Sequence, residues 1–224
     1  MYKQTQNKIF IISEIFFSIQ GEGTRAGLPC IFIRFQGCKL RCSWCDTPYA
    51  LKFKGEGKIM SSDKIIEKIG KFSCKLVQIT GGEPLHQDNT ILFMKELCDL
   101  NYTVLLETSG SEDISKIDKR VIKIMDLKCP GSKMQQFNNY DNIKYLKKKD
   151  EIKFVVSDKK DFDWAQKIIK KYKLKEKVSA VLLSPAFQSM NSRKLAEWIL
   201  KSGLDVRIQL QIHKFIWDPG QRGV

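Results

Sequence analysis

The sequence predicts an α/β protein with a mostly parallel sheet, shaped as an open barrel with helices outside. Two observations carry this. Strand-like runs rich in Val, Ile, Leu or Phe recur at Ile31–Gln36, Leu76–Thr80, Thr103–Glu107, Val121–Leu127, Ile152–Val156, Val178–Leu183 and Val206–Ile212, with helical patterns between most of them. Strand, helix, strand in repetition requires crossover connections, and these pair the strands in parallel. Secondly, polar, glycine-containing or ionisable residues follow nearly every run: Gln36-Gly37-Cys38, Thr80-Gly81-Gly82-Glu83-Pro84, Glu107-Thr108-Ser109-Gly110, Asp126-Leu127-Lys128, Ser184-Pro185-Ala186-Phe187 and Gln211-Ile212-His213. Chemistry in such folds gathers at the carboxyl ends of the strands, so these exits are where a site is expected.

Each helix has its own signals. Ser61, Ser62 or Asp63 caps a segment in which Ile65, Ile66, Ile69 and Phe72 share one face. Asp88 or Asn89 starts a second helix that runs through Leu100. Trp164, Ile168, Ile169 and Tyr172 mark a third, and Leu195, Trp198 and Ile199 a fourth, capped by Asn191 or Ser192. These stripes read as core packing. The apolar run from Ile9 to Ile19 is broken by Ser13 and Glu14 and has no small-residue cleavage site after it. It reads as neither signal peptide nor membrane span, so a cytoplasmic protein without a membrane partner is expected.

The chain has 224 residues, 39 basic against 25 acidic, for a formal charge of +14. Such a surplus is the footprint of a polyanion binder. Only seven of the basic residues are Arg, and the lysines are scattered through segments such as Lys144 to Lys149 and Lys167 to Lys177. Arg forks interleaved with aromatic platforms, the equipment of specific nucleic-acid recognition, are missing. A solvated, Lys-rich surface is the reading, with no nucleic-acid partner.

Three of the seven cysteines, Cys38, Cys42 and Cys45, fall within eight residues with the spacing C-x3-C-x2-C. Without a secretory signal, clustered thiols point to metal or redox chemistry. Structural zinc wants four ligands, which would require Cys74, Cys98, Cys129, His86 or His213 as the fourth. A [4Fe–4S] cluster held by three cysteines instead leaves one iron open. Spacing alone leaves both readings standing. Cys30, Cys74, Cys98 and Cys129 otherwise read as small core residues.

With Asp46-Thr47 behind the triplet and Gly81-Gly82-Glu83-Pro84 at the next strand exit, the chain resembles the radical S-adenosylmethionine (SAM) superfamily. The resemblance implies a [4Fe–4S] cluster on Cys38, Cys42 and Cys45 whose open iron takes the amino and carboxylate groups of SAM. It implies a truncated, partly open (β/α) barrel, because 224 residues do not supply eight full units. The whole chain, 1–224, would be one such core with an N-terminal strand and a C-terminal tail that closes on substrate. SAM would lie against Trp44, Cys45 and Asp46, then Gly82 and Glu83, Ser109, Asp126-Leu127-Lys128, and Ser184-Pro185-Ala186-Phe187. The two glycines permit close backbone approach and Glu83 suits an ammonium group. Asp126 and Lys128 read equally well as a short-range charge pair.

A finer resemblance, to the 7-carboxy-7-deazaguanine synthase family, rests on Ser18-Ile19-Gln20-Gly21-Glu22-Gly23, on Phe32-Ile33-Arg34-Phe35-Gln36-Gly37-Cys38 and on Trp44-Cys45-Asp46-Thr47. The tail residues Gln211 to Lys214, Trp217-Asp218-Pro219 and Arg222-Gly223-Val224 belong to it too. It implies conversion of 6-carboxy-5,6,7,8-tetrahydropterin to 7-carboxy-7-deazaguanine with release of ammonia, and no protein acid or base is assigned, because the radical arises on the cofactor. Ile19, Gln20, Gly21, Glu22, Arg34, Thr80, His213 and Val224 would bind the pterin. Its N–H edge suits the Glu22 carboxylate and its 6-carboxylate suits Arg34. Without the resemblance, Glu22 is a loop acid, Arg34 half of an ion pair and His213 a structural histidine. Mg2+, a hard ion that takes oxygen ligands, falls by the resemblance on Thr47, otherwise a turn residue before Pro48. A reductant such as flavodoxin and a homodimer are implied as partners. Two other classes stay in view: a glycyl-radical activase, which shares the triplet but lacks Gln20 to Gly23 and Thr47, and a Lys-rich zinc protein that binds RNA.

Overall fold

The computed structural model describes residues 8–224, and the first seven residues of the expected 1–224 unit lie outside it. The strands are β1 (Ile9–Ile19), β2 (Pro29–Phe35), β3 (Lys58–Ser61), β4 (Leu76–Gly81), β5 (Thr103–Thr108), β6 (Ile122–Asp126), β7 (Glu151–Val156), β8 (Ala180–Pro185) and β9 (Arg207–Ile208). They form one sheet in the order β3-β1-β2-β4-β5-β6-β7-β8-β9. Every pairing from β2 onward is parallel, whereas β1 runs antiparallel to both β2 and β3. β3 and β9 remain as free edges, so the barrel is open, as expected.

The helices are α1 (Ser62–Ile69), α2 (Thr90–Asp99), α3 (Lys159–Lys171), α4 (Leu174–Lys177), α5 (Ser192–Ser202) and α6 (His213–Ile216). Ser61 caps α1 by accepting from Lys64 N, Asp158 caps α3 through Asp161 N, and Asn191 caps α5 through Lys194 N. The expected side-chain cap on α2 is absent. Asn89 sits there with φ of 66° and makes no capping bond, while Thr90 Oγ1 donates to Pro84 O and Gln87 O at 2.9 Å. The crossovers β5 to β6 and β6 to β7 contain no α-helix; the second holds only short 3-10 turns.

Period-two alternation sorts the strand residues between two faces. Ile31, Ile33 and Phe35, then Val77 and Ile79, then Ile152, Phe154 and Val156, pack outward into the main core beneath the helices. Phe10 meets Phe35 edge-on at 5.4 Å and Phe93 of α2 at 5.1 Å. The opposite, inner face changes character along most strands, β7 with Glu151, Lys153 and Val155 being the exception. It reads Cys30, Phe32, Arg34 on β2; Leu76, Gln78, Thr80 on β4; Leu105, Glu107 on β5; Ile122, Ile124, Asp126 on β6; and Leu182, Ser184 on β8. Its apolar ends close into small clusters, Phe16 with Cys30 and Phe32, and Leu105 with Ile122 and Ile124. The polar ends meet at the carboxyl side of the sheet.

Two expectations change. The run Val206–Ile212 is a strand only at Arg207–Ile208, because beyond them the chain leaves the sheet edge and sends Gln209 and Gln211 side chains inward to Glu22. The short strand β3 lacks an apolar run of its own and exists because β1 offers it an edge. A bulge in β1 between Ile12 and Glu14 brings Glu14 opposite Arg34.

Because Phe93 is fully buried between α2 and the aromatic pair, Phe93→Ala should destabilise the fold by about 3–5 kcal/mol. A lower denaturant midpoint at unchanged slope is the expected result.

Candidate active site

At the polar ends of the inner face the described residues line a cavity of about 250 Å³. All three triplet thiols open onto it. The loop that carries them is tied down at several points. Gly37 N donates to Ala50 O, Cys38 N to Leu51 O, and Ser43 N to Ser132 O, while Arg41 Nη1 donates to the carbonyls of Cys38 and Leu40 at 2.7 Å. Leu40 N–H points at Cys38 Sγ from 3.4 Å, a donor suited to a thiolate.

Burial pushes the Cys38 thiol up to about 11 and raises Cys42 as well, so their thiolates need a bound cation. Among the described residues no three His, Cys, Asp or Glu side chains converge closely enough to ligate one metal ion. A single zinc draws four donors to about 2.2 Å each, so the zinc reading has no site here. Nor does a fourth cysteine open onto the cavity; Cys30, Cys98 and Cys129 are buried elsewhere, as expected of core residues, and Cys74 is half-buried. Three thiols spaced around a void fit a cluster whose separate irons each take one of them.

The same cavity is lined by a charge network built around Lys153, a buried ammonium on β7. Its Nζ lies 2.9 Å from Glu22 Oε2, contacts Glu107 Oε1 and is 3.9 Å from Asp126 Oδ2. Burial alone would raise the Glu22 carboxyl, but the Lys153 charge, with hydrogen bonds from Lys153 and Gln211, brings it down to about 2. Glu107 moves the other way: burial and the neighbouring Glu22 charge outweigh its share of Lys153. Gln209 and Gln211 donate to Glu22 at 2.8 Å, and Gln78 and Thr80 donate to Glu107 Oε2. Counting about four lone-pair sites per carboxylate, one acceptor position remains on Glu22 Oε1 and one on Glu107 Oε1. Asp126 pairs with Lys128 at 3.0 Å through Oδ2, and its buried Oδ1 has no partner. The wall therefore offers acceptors and suits a ligand rich in N–H donors.

Glycines bring the remaining parts together. A Cβ on Gly21 would stand 1.9 Å from His213 Nδ1, and one on Gly82 would stand 2.2 Å from the Gly37 carbonyl oxygen. Burial lowers the His213 pKa, so the ring is neutral at pH 7. Thr47 Oγ1 lies 3.9 Å from Cys45 Sγ, beside the cavity. Arg34 lines it too, although its Nε is engaged by Glu14 at 2.6 Å, so the ion-pair reading and the pocket position hold together. The same is true of Asp126 and Lys128.

Every sequence-predicted site residue reaches the cavity lining except Glu83, Leu127 and Ala186. Glu83 is fully buried behind the wall, where its carboxylate accepts from Leu85 N, Thr108 Oγ1, Ser109 N and Ser109 Oγ at 2.6–3.2 Å. Four donors leave it nothing for an ammonium, and its effect is to hold Ser109 in place. Leu127 and Ala186 point their side chains into the core. Sequence reasoning missed Lys153, Gln78, Glu14, Tyr49 and Gln209, and it placed Glu107 at a strand exit without giving it a role. Two of these were visible as lone polar residues inside apolar runs, Gln78 between Val77 and Ile79 and Lys153 between Ile152 and Phe154.

Residues 32–130 match the family model of the radical SAM superfamily, which is the class that this sheet and its cysteine loop define. A 7-carboxy-7-deazaguanine synthase of Koribacter versatilis is 43% identical over 95% of this chain and 99% of its own length, and one of Chlorobaculum tepidum is 41% identical over 95% and 96%. The solved structure of QueE from Escherichia coli superposes with a TM-score of 0.75 over 91% of this chain and 94% of that one, at 24% identity, a likeness of fold. This chain belongs to the 7-carboxy-7-deazaguanine synthase family. Neither the activase nor the RNA-binding alternative finds support.

A carboxyl brought down to about 2 in the folded state against the usual 4.5 contributes stability that is complete above pH 4.5 and is lost as pH falls toward 2. Glu22→Gln should therefore destabilise the protein at pH 7, and the gap to wild type in urea midpoint should narrow steadily from pH 5 to pH 3.

Proposed function

We propose that this protein converts 6-carboxy-5,6,7,8-tetrahydropterin to 7-carboxy-7-deazaguanine with release of ammonia, as a radical SAM carbon–nitrogen lyase of deazapurine (queuosine) biosynthesis. The observation that carries the reading is one cavity lined both by the three thiols and by an acceptor-rich wall, in a chain of this family. Its cofactors are a [4Fe–4S] cluster, SAM and Mg2+. When bound, the first two supply a one-electron reagent that removes and returns a hydrogen atom, and the third a hard Lewis acid for a carboxylate.

The protein's part is to hold and orient. Cys38, Cys42 and Cys45 take the cluster, with Leu40 N–H supporting the first thiolate. The free Oδ1 of Asp126 suits the ammonium of SAM, and Ser184, Pro185 and Phe187 supply the wall beside it. Phe187 is braced by Lys214, whose Nζ lies 4.0 Å from the ring centre. Glu22, held ionised by Lys153, accepts from the pterin's N–H edge, and Gln20 is pinned by Gln78 beside it. Glu107, raised toward the protonated form, presents a second carboxyl at that edge. Neutral His213 packs on Gly21 and narrows the slot. Arg34 and Thr47 both line the cavity, and to them we assign the 6-carboxylate and its Mg2+. With Val224 and the tail closing over this end, residues 1–224 work as one unit.

For partners, we read an acidic one-electron donor such as flavodoxin, supported by the +14 charge, and a homodimer, supported by exposed Phe215 and Ile216. No helix among the described residues is long and apolar enough to cross a membrane.

Anaerobic incubation of reconstituted protein with 6-carboxytetrahydropterin, SAM, dithionite and Mg2+ tests the reading. Ammonia and a deazaguanine product are expected; SAM cleavage without them would refute the substrate. Cys42→Ala should purify with little iron after reconstitution, measured by iron assay and visible absorption. Thr47→Ala should turn over more slowly and lose the Mg2+ stimulation, and an undiminished Mg2+ response would remove Thr47 from the metal site.

A further inference from the structure

The tail meets the segment after the cysteine triplet at its base, where Gln211 Nε2 donates to Asp46 Oδ2 at 3.2 Å, and again near its end. The Arg222 guanidinium lies 3.7 Å above the centre of the Tyr49 ring, and its Nη1 is 3.2 Å from Glu56 Oε2. Tyr49 leads on into the cavity: its hydroxyl donates at 2.8 Å to Glu14 Oε1, the same oxygen that Arg34 Nε holds at 2.6 Å. Burial, with Glu14 adding to it, pushes the Tyr49 phenol up to about 12 despite Arg34, so it remains a donor at any working pH. The tail N-terminal to Arg222 is tied at its base, since Ile212 N donates to Gly21 O and Gln211 reaches Glu22. Beyond Trp217, Arg222 is the residue whose side chain fastens the tail across the cavity mouth, where Pro219, Gln221 and Val224 form part of the lining.

We propose that Arg222 is a positioning residue that, stacked on Tyr49, fastens residues 219–224 over the cavity and, through the Tyr49 hydroxyl and Glu14, couples that closure to the placement of Arg34. Each contact is individually small, since a stacked cation and an exposed ion pair contribute little at a surface. A weak fastening suits the place, because the mouth must open to admit a substrate and release a product. The link also anchors the loop from Pro48 to Gly57 to the tail, beside the anchors it has from Gln36, whose Nε2 donates to Tyr49 O and Lys52 O at 3.0 and 2.7 Å, and from Gly37 N and Cys38 N, which donate to Ala50 O and Leu51 O. When Arg222 leaves the ring, Tyr49 and with it Glu14 gain freedom, and Arg34 loses its fixed orientation at the carboxylate end of the cavity.

The part of this that concerns substrate rests on the function proposed above; the part that concerns the tail and loop does not, and two measurements separate them. Hydrogen–deuterium exchange on the ligand-free protein reads the first. Arg222→Ala should speed exchange roughly tenfold in both 217–224 and 48–57, the size expected when a contact of this kind is lost. Arg222→Lys, which keeps the cation, should restore most of the protection. Tyr49→Phe should leave the tail protected, because the ring remains. Steady-state kinetics reads the second. Arg222→Ala and Tyr49→Phe should each raise the KM for 6-carboxytetrahydropterin several-fold and leave the KM for SAM unchanged, whereas a merely structural role would move both alike. Faster exchange confined to 217–224 in Arg222→Ala, or equal rises in both KM values, would overturn the coupling. Faster exchange in both segments in a protein that does not turn over the pterin would uphold the fastening and overturn the function.

Discussion

One buried ammonium organises the working end of this protein. Lys153 Nζ sits among Glu22, Glu107 and Asp126, which come from the loop after β1, from β5 and from β6, while Lys153 itself belongs to β7. Removing these charges from water is costly, and the cost is offset only while all partners hold their places. The network thus requires the inner face to stay assembled in one register. It also reaches the tail, because Gln209 donates to Glu22 Oε2, the oxygen that Lys153 holds, and Gln211 donates to Oε1. Displacement of β5, β6 or β7 would leave an uncompensated charge at the centre of the site.

The sheet makes this arrangement affordable through its polarity gradient. Along β2, β4, β5, β6 and β8 the inner face passes from apolar to polar toward the carboxyl end, so one surface closes its own small core at one end and carries ligand-binding groups at the other. The outer face is mainly apolar and packs under the helices, with Lys123 of β6 paired to buried Asp150 as its charged exception. Precision at the site comes from rigid strands, while the cysteine triplet, which needs a wider reach, sits on a loop braced from two sides.

Those braces explain two segments whose purpose is opaque in the sequence. Asp161, buried on α3, accepts from Gly131 N at 2.8 Å and from Ser157 N and Oγ, which holds the turn after Cys129 so that Ser132 O receives Ser43 N. Gln36 does the equivalent for the segment after Thr47 by donating to two of its carbonyls. Neither role has a local signature, because each depends on a partner more than ten residues away meeting one particular backbone atom.

The parallel strands, the four longer helices with the caps of two of them, and the triplet with the Gly-Gly turn behind it were legible because each is written in short-range order: alternation, a 3.6-residue stripe, a fixed spacing. So was most of the cavity lining, since the carboxyl ends of parallel strands must converge. Glu83 misled for a physical reason, as a turn acid beside two glycines looks available for a ligand until the donors of Thr108 and Ser109 are seen to close over it. The run Val206–Ile212 misled because alternation cannot say where an edge strand peels away. By itself, the sequence determined the fold class, the cysteine loop and the family. Which carboxylates share Lys153, which of them stay charged, and which tail residue meets Tyr49 were decided only by the tertiary structure, because charge sharing and stacking depend on distances between strands and loops that no local pattern encodes.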